Sequence, residues 1–163
     1  MFGKYACLYY LNTGTRASWG TLNEATGRHE ATAAPSNLTE IESVKDLTLD
    51  GDRPSSEQTD RGANIATGDT GAMRTGLSFK LNKRKTEEAG VTALRTAWLL
   101  NEPIALAALD NEQDYVGATG LWTDFKVTKF VEPQPEEGHM DYDVAVVPYD
   151  SGVEPEFVEL TAA

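Results

Sequence analysis

A chain of 163 residues, 40% hydrophobic and 25% charged, is the size of one domain with one core. Its 26 acidic residues against 14 basic give a formal charge of −12, a balance that works against tight binding to nucleic acid or to an anionic membrane. The one cysteine, Cys7, excludes an intrachain disulfide framework, and no apolar stretch approaches the ~18 residues needed to span a bilayer.

Met1-Phe2-Gly3-Lys4 lacks the apolar core and cleavage site of a signal peptide, which points to synthesis in a cytoplasm. Residues 4 to 11, KYACLYYL, read as a strand, because aromatic and apolar side chains suit a pleated, half-buried surface; Cys7 is then a small core residue. Residues 12 to 39 are mostly Gly, Thr, Ala, Ser and Asn around isolated Trp19 and Leu22, and read as a long irregular arm. A strand over about 40 to 49 follows, with Val44, Leu47 and Leu49 apolar and Asp50-Gly51 at its end. From there to about residue 73 runs a long polar loop with almost nothing to bury.

Residues 74 to 82, RTGLSFKLN, alternate: Leu77, Phe79 and Leu81 on one face, Ser78, Lys80 and Asn82 on the other. The spacing of Val91, Leu94, Trp98 and Leu99 predicts a helix over about 87 to 101, capped by Thr86, with Glu87 and Glu88 in its first turn and Pro103 beyond its end. Gly90 within it costs about 1 kcal/mol relative to Ala. IALAAL, residues 104 to 109, is a buried strand that turns at Asp110-Asn111-Glu112. Strands are predicted at 115 to 118 and 120 to 131, the latter with Leu121, Phe125, Val127 and Val131 opposing Trp122, Asp124, Lys126, Thr128 and Phe130. After the turn at 133 to 138, residues 139 to 148 form a strand with Met140, Tyr142, Val144 and Val146 on one face and Asp141, Asp143, Ala145 and Val147 on the other. The acidic tail from Tyr149 reads as irregular. The fold class is mainly β: two packed antiparallel sheets with one flanking helix, in a single domain over 1–163.

Motifs that carry chemistry are missing. His29 and His139 lack a second histidine at helical spacing, and Ala33 stands where a His29-Glu30 metalloprotease motif needs its second ligand. There is no Gly-x-Ser-x-Gly elbow and no phosphate-binding glycine loop. Asp46, Asp50 and Asp52, and likewise Asp110, Glu112 and Asp114, lack the register of a calcium loop and read as solvated acids. Asn37-Leu38-Thr39 matches a glycosylation sequon by chance. No catalytic, metal or cofactor residue is assigned.

The order of elements over residues 4 to 148 carries a resemblance: VKDLTL at 44 to 49, Thr59-Asp60-Arg61, GLSFKL, the junction ALRTAWLLNEPIALAALD, YVGATGLWTDFKVTKF, and a closing strand after Gln134-Pro135-Glu136-Glu137-Gly138. It resembles the major tail tube proteins of long-tailed bacteriophages, with residues 20 to 38 as an insertion. The resemblance implies two packed sheets with a flanking helix and a structural, non-enzymatic subunit of the virion tail. It further implies hexameric rings stacked into a hollow tube for DNA ejection, with the tape measure, terminator and distal tail proteins as neighbours. Tubes of contractile tails and the type VI secretion ring protein share this fold.

Under that reading, exposed sheet edges are satisfied by identical copies. The 50–73 loop becomes the contact between rings, with Arg53, Asp60, Arg61 and Arg74 setting register by charge pairing. Asp46, Thr48, Ser78, Lys80, Asp141 and Asp143 are the candidate lining of an acidic lumen through which DNA passes without specific binding. The alternative from a different class is a monomeric β-sandwich that binds carbohydrate or protein through Trp19, Trp122 and the tyrosines of the first strand. A small hydrolase using an Asp/Glu pair is a third reading. A terminator ring of the same tail is a structural variant of the first.

Overall fold

The computed structural model describes residues 6–52, 55–58, 67–70, 74–132, 141–149, 152 and 154–162, with residues 52, 55–58, 67–70 and 74 described by their backbone. Among the described residues, twelve strands and one helix run in the order β1 (Cys7–Leu11), β2 (Thr21–Asn23), β3 (Arg28–Ala31), β4 (Leu38–Glu40), β5 (Val44–Asp52), β6 (Ser55–Gln58), β7 (Thr67–Thr70), β8 (Arg74–Asn82), α1 (Ala89–Leu100), β9 (Ile104–Leu109), β10 (Thr119–Val131), β11 (Asp141–Pro148) and β12 (Glu156–Leu160).

Ten strands form one branched sheet that does not close and that folds into two layers sharing β10. The first layer, β2-β3-β12-β10-β9-β1-β4, uses β10 from Thr119 to Phe125. The second, β10-β11-β8-β5, uses β10 from Phe125 to Val131. All pairs are antiparallel except β12 with β3, a departure from the expected all-antiparallel arrangement.

Between the layers lies the main core. Leu8, Leu106, Ala108, Leu121 and Phe125 of the first layer meet Leu77, Phe79, Leu81, Val144 and Val146 of the second, and Val91 and Leu94 of α1 pack on the same cluster. Each buried aliphatic or Phe side chain contributes roughly 1.5–3 kcal/mol. The alternation expected for β8 and β11 holds: Leu77, Phe79, Leu81, Tyr142, Val144 and Val146 are buried. Met140 lies outside the described residues.

The first layer is buried on its other face too. Tyr9, Ala105, Ala107, Leu109, Trp122, Val158 and Leu160 form a second core there, covered by Trp19, Ala31, Ala34 and Leu38. That explains why IALAAL is apolar at successive positions. It also corrects the expectation for residues 12 to 39: they contain β2, β3 and β4, which extend this layer at its two ends, and they bring Trp19, Ala31, Ala34 and Leu38 against its second core.

Three polar anchors hold the cover. Arg16, 6% exposed, places Nε 3.1 Å from Asp124 Oδ2 and donates from Nη2 to Glu154 O at 3.0 Å. Trp122 Nε1 donates to Ala17 O at 2.9 Å. Buried Glu156 accepts from Trp19 N at 2.8 Å and Ser18 Oγ at 2.7 Å, with His29 Nδ1 3.4 Å from the same carboxylate. His29 is therefore a half-buried structural residue. Glu156, Val158 and Leu160 on β12 likewise correct the irregular tail expected after Tyr149.

Further differences have local causes. Residues 115 to 118 turn instead of forming a strand, with Ala118 N donating to Tyr115 O at 3.1 Å. The helix starts at Ala89, capped by Glu88 with no side-chain cap bond, so Thr86 is not its cap. The Glu88 carboxylate instead accepts from Glu42 N (2.6 Å) and Ser43 N (3.2 Å), tying α1 to the crossing between layers. Asn101, at φ 54°, ends the helix in the left-handed conformation, and Glu102 N donates to Ala97 O at 2.9 Å, a Schellman-type stop. Gly90 has a packing reason: a Cβ there would lie 2.6 Å from Ile41 Cγ1. Trp98 is 41% exposed and stacks on Phe130, at the margin of the stripe and not at its centre.

Candidate functional site

The second layer has one face in the core, and the described side chains of its other face, the bare face below, are half-buried or exposed. Because side chains alternate along a strand, the residues between the buried positions share the bare face. Register then fixes its rows: Thr48 opposite Ser78 and Ser78 opposite Ala145, then Lys45 opposite Lys80 and Lys80 opposite Asp143, with Asn82 opposite Asp141. All six residues expected to line a channel, Asp46, Thr48, Ser78, Lys80, Asp141 and Asp143, are thus brought to one surface.

Two bulges shape it. In β5 the register shifts between Lys45 and Thr48, and Asp46 takes φ 54°, a left-handed conformation that Asp tolerates better than most residues. In β10 the register shifts between Val127 and Lys129. The extra residue reverses alternation beyond it: Phe130 is buried, Val131 is exposed, and Lys129 lies opposite Ala145. The expected faces of Phe130 and Val131 are therefore exchanged. Thr128 Oγ1 donates to Ala145 O at 3.1 Å across the irregularity.

Sequence reasoning missed four charged members of this face: Lys45, Asp50, Lys126 and Lys129. Lys126 follows from its register opposite exposed Val147, and its Nζ sits 4.7 Å from the Tyr149 ring centroid. Lys45 Nζ pairs with Asp141 Oδ2 at 2.7 Å. The alternation around Leu49 signalled Asp50 in the sequence, whereas Lys129 could be placed only with the bulge known.

The layer also has two open borders. Among the described residues, β5 pairs only with β8, and no strand pairs with the edge of β10 from Lys126 to Val131 that faces away from β11. Each border presents a row of unclaimed backbone donors and acceptors.

The expected 50–73 loop is corrected in part. β5 continues through Asp52, opposite Arg74 of β8, and β6 and β7 form their own antiparallel pair from Ser55 opposite Thr70 to Gln58 opposite Thr67. A hairpin arm replaces a structureless loop. Arg53, Asp60 and Arg61 lie outside the described residues, and of Arg74 only the backbone is described.

The aromatic residues offered for sugar stacking are not available for it. Trp19 is 5% exposed and Trp122 1%, packed edge to face with ring centroids 6.0 Å apart; Tyr9 and Tyr10 are buried as well. Cys7 is half-buried, and burial, with Glu40 nearby, pushes its thiol up to about 11. Burial also raises the Tyr9 phenol, whose oxygen accepts from Gln113 N at 3.1 Å.

No protein-family model and no curated protein sequence matches the chain. Solved structures do match. A chain of the SPP1 tail tube aligns with a TM-score of 0.65 at 8% identity, covering 99% of this chain and 80% of that one. A chain of the native gene transfer agent virion aligns with a TM-score of 0.59 at 10% identity, covering 77% and 92%. A chain from the tail of the empty gene transfer agent particle, refined with C6 helical symmetry, aligns with a TM-score of 0.59 at 11% identity, covering 75% and 87%. This chain has the fold of tail tube subunits.

Proposed function

We propose that this protein is the repeating structural subunit of a phage-type tail tube, located in the virion tail and without catalytic activity. The observation that carries the reading is the open layer on this fold: four strands with one polar, partly exposed face and, among the described residues, two unpaired borders. The outer edge of β5 in one copy pairs with the Lys126–Val131 edge of β10 in the next. That contact is head-to-tail, so it makes a ring when the rotation between copies closes.

Six-fold closure is favoured because the tail of the empty gene transfer agent particle has C6 symmetry. Six copies contribute about 24 strands. At ~4.8 Å per strand the circumference is about 115 Å and the diameter about 37 Å, before strand tilt widens it. A bore of that size passes a DNA duplex when the bare face points inward. The β6–β7 arm and its flanks, including Arg53, Asp60, Arg61 and Arg74, join successive rings. The tape measure, terminator and distal tail proteins complete the tail.

The binding-module alternative loses its footing because Trp19, Trp122, Tyr9 and Tyr10 are spent in the core. Negative-stain micrographs and sizing of the purified full chain test the proposal. Rings or tubes of uniform diameter are expected; a monomer at all concentrations and ionic strengths overturns it.

A further inference from the structure

The two open borders of the second layer differ in charge. β5 carries Asp46 and Asp50, both exposed, and its one cation, Lys45, is held within the subunit by Asp141 at 2.7 Å. The open edge of β10, KVTKFV at 126 to 131, has two lysines and no acid. Lys126 Nζ lies 4.7 Å from the Tyr149 ring centroid, and Lys129 is exposed. Among the described residues, none of Asp46, Asp50, Lys126 and Lys129 forms a salt bridge.

The two sets of charge lie at one level of the sheet. Thr48, between the two acids, lines up with Lys129 through Ser78 and Ala145, and Leu49 lines up with Val127 through Leu77 and Val146. On the core side the borders match in apolar residues. β5 offers Val44, Leu47 and Leu49; β10 offers Val127 and Phe130, and Trp98 of α1, stacked on Phe130, is still partly exposed.

Direction follows from the pairing. Each step from β5 through β8 and β11 to β10 is antiparallel, so β5 and β10 run in opposite senses. Rotation about a ring axis keeps each strand's sense along that axis. β5 of the next copy therefore meets β10 antiparallel, continuing the pattern of the sheet. An even offset in register keeps acids and lysines on one face; an odd offset would set Asp46 and Asp50 beside Val127 and Phe130.

We infer that Asp46 and Asp50 of one copy pair with Lys126 and Lys129 of the next, and that this charge match selects the partner border and the face register of the joint. The partner is a second copy of this chain, and the inference rests on the tube reading above. Specificity comes from repulsion as well as attraction. Two β5 borders bring acids together and two β10 borders bring lysines together, so only the head-to-tail joint is matched. The same charges protect each open edge from pairing with its own kind.

The test uses two full-length variants. Asp46→Asn with Asp50→Lys makes both borders basic, and Asn tolerates the left-handed conformation at position 46. Lys126→Glu with Lys129→Glu makes both borders acidic. Circular dichroism melting checks that each folds. Alone, each variant should need at least about tenfold more protein than the wild type to form rings or tubes at ~0.05 M salt, and the gap should narrow at ~1 M as the charges are screened. Mixed in equal amounts, the two chains can alternate so that every joint regains opposite charges. Assembly should then return toward the wild-type concentration, and alternation closes in any ring with an even number of copies.

Folded variants that assemble alone as readily as the wild type overturn the inference. So does a mixture that assembles no better than its separate components. A wild type that forms neither rings nor tubes removes the tube reading instead. In that case a complex of the two variants on sizing at low salt still supports the matched borders, and its absence overturns the inference as well.

Discussion

The two layers are built from the same kinds of strand but finished differently. The first is covered on both faces: the main core on one side, and Trp19, Ala31, Ala34 and Leu38 on the other, pinned by Arg16 to Asp124 and by Glu156 to Ser18 and Trp19. The second has one core face, one charged face that is half-buried or exposed and, among the described residues, two unpaired borders. Both faces are buried within the chain in one case, though the edge strands β2 and β4 each pair on one side only; in the other, a face and both borders are left, on the proposed reading, for identical neighbours. The first layer should therefore govern subunit stability, and the second should govern assembly.

The sharpest separation comes from the arm. No described core residue lies within residues 54 to 68, so the chain lacking them should melt as before while tube formation disappears, scored by microscopy. Full-length tubes from the deleted chain would remove the arm from the account.

Next come the cores themselves. Trp122→Ala in the doubly covered layer should cost about 3–5 kcal/mol in urea unfolding. Thr48→Ala on the bare face should stay within about 0.5 kcal/mol. Comparable losses at the two sites would erase the distinction between the layers.

Two glycines give a finer contrast. A Cβ on Gly120 would sit 1.9 Å from Ala108 O, where β10 crosses β9, so Gly120→Ala forces backbone apart and should cost at least about 1–3 kcal/mol. Gly51 on β5 has open space around its Cα, and Gly51→Ala should be neutral or stabilise by about 0.5 kcal/mol. Thermal melts of the two variants in parallel read the difference.

The smallest effect concerns Cys7, at the margin of the doubly covered layer. With its thiol pushed up to about 11, the thiolate is scarce at neutral pH and rises with pH only toward that value. Alkylation by iodoacetamide at pH 8 should run about 100-fold slower than for an unperturbed thiol and should keep accelerating beyond pH 9. A rate that levels off near pH 9 would show the site to be open to water.

Much of this was legible in the sequence where one strand determines its own faces. Leu77, Phe79 and Leu81 alternate with polar residues, and they alternate in the structure. IALAAL announced double burial, though not what would cover it. The cover itself was hidden. Strands of three or four residues such as β2, β3 and β4 acquire their conformation from distant partners, and TLN or RHEA carries no periodicity to detect. β12 was masked by a glutamate at a buried position, which makes sense only once Ser18, Trp19 and His29 surround it. The bulge at Thr128 exchanged the faces of Phe130 and Val131, because one inserted residue reverses every later position. The six candidate residues fall on one surface because five of them follow simple alternation. Its net charge was not legible, because whole-chain charge says nothing about which face carries it.

The account's central claim is that the open layer is finished by the next copy, and a density map of the assembled particle at a resolution that traces strands tests it most directly. The account predicts one continuous sheet around the bore, with β5 of each copy hydrogen-bonded to the 126–131 edge of its neighbour and Lys80, Lys129, Asp46 and Asp143 facing the lumen. A tube wall joined through other elements, with both borders still exposed to water, would contradict it.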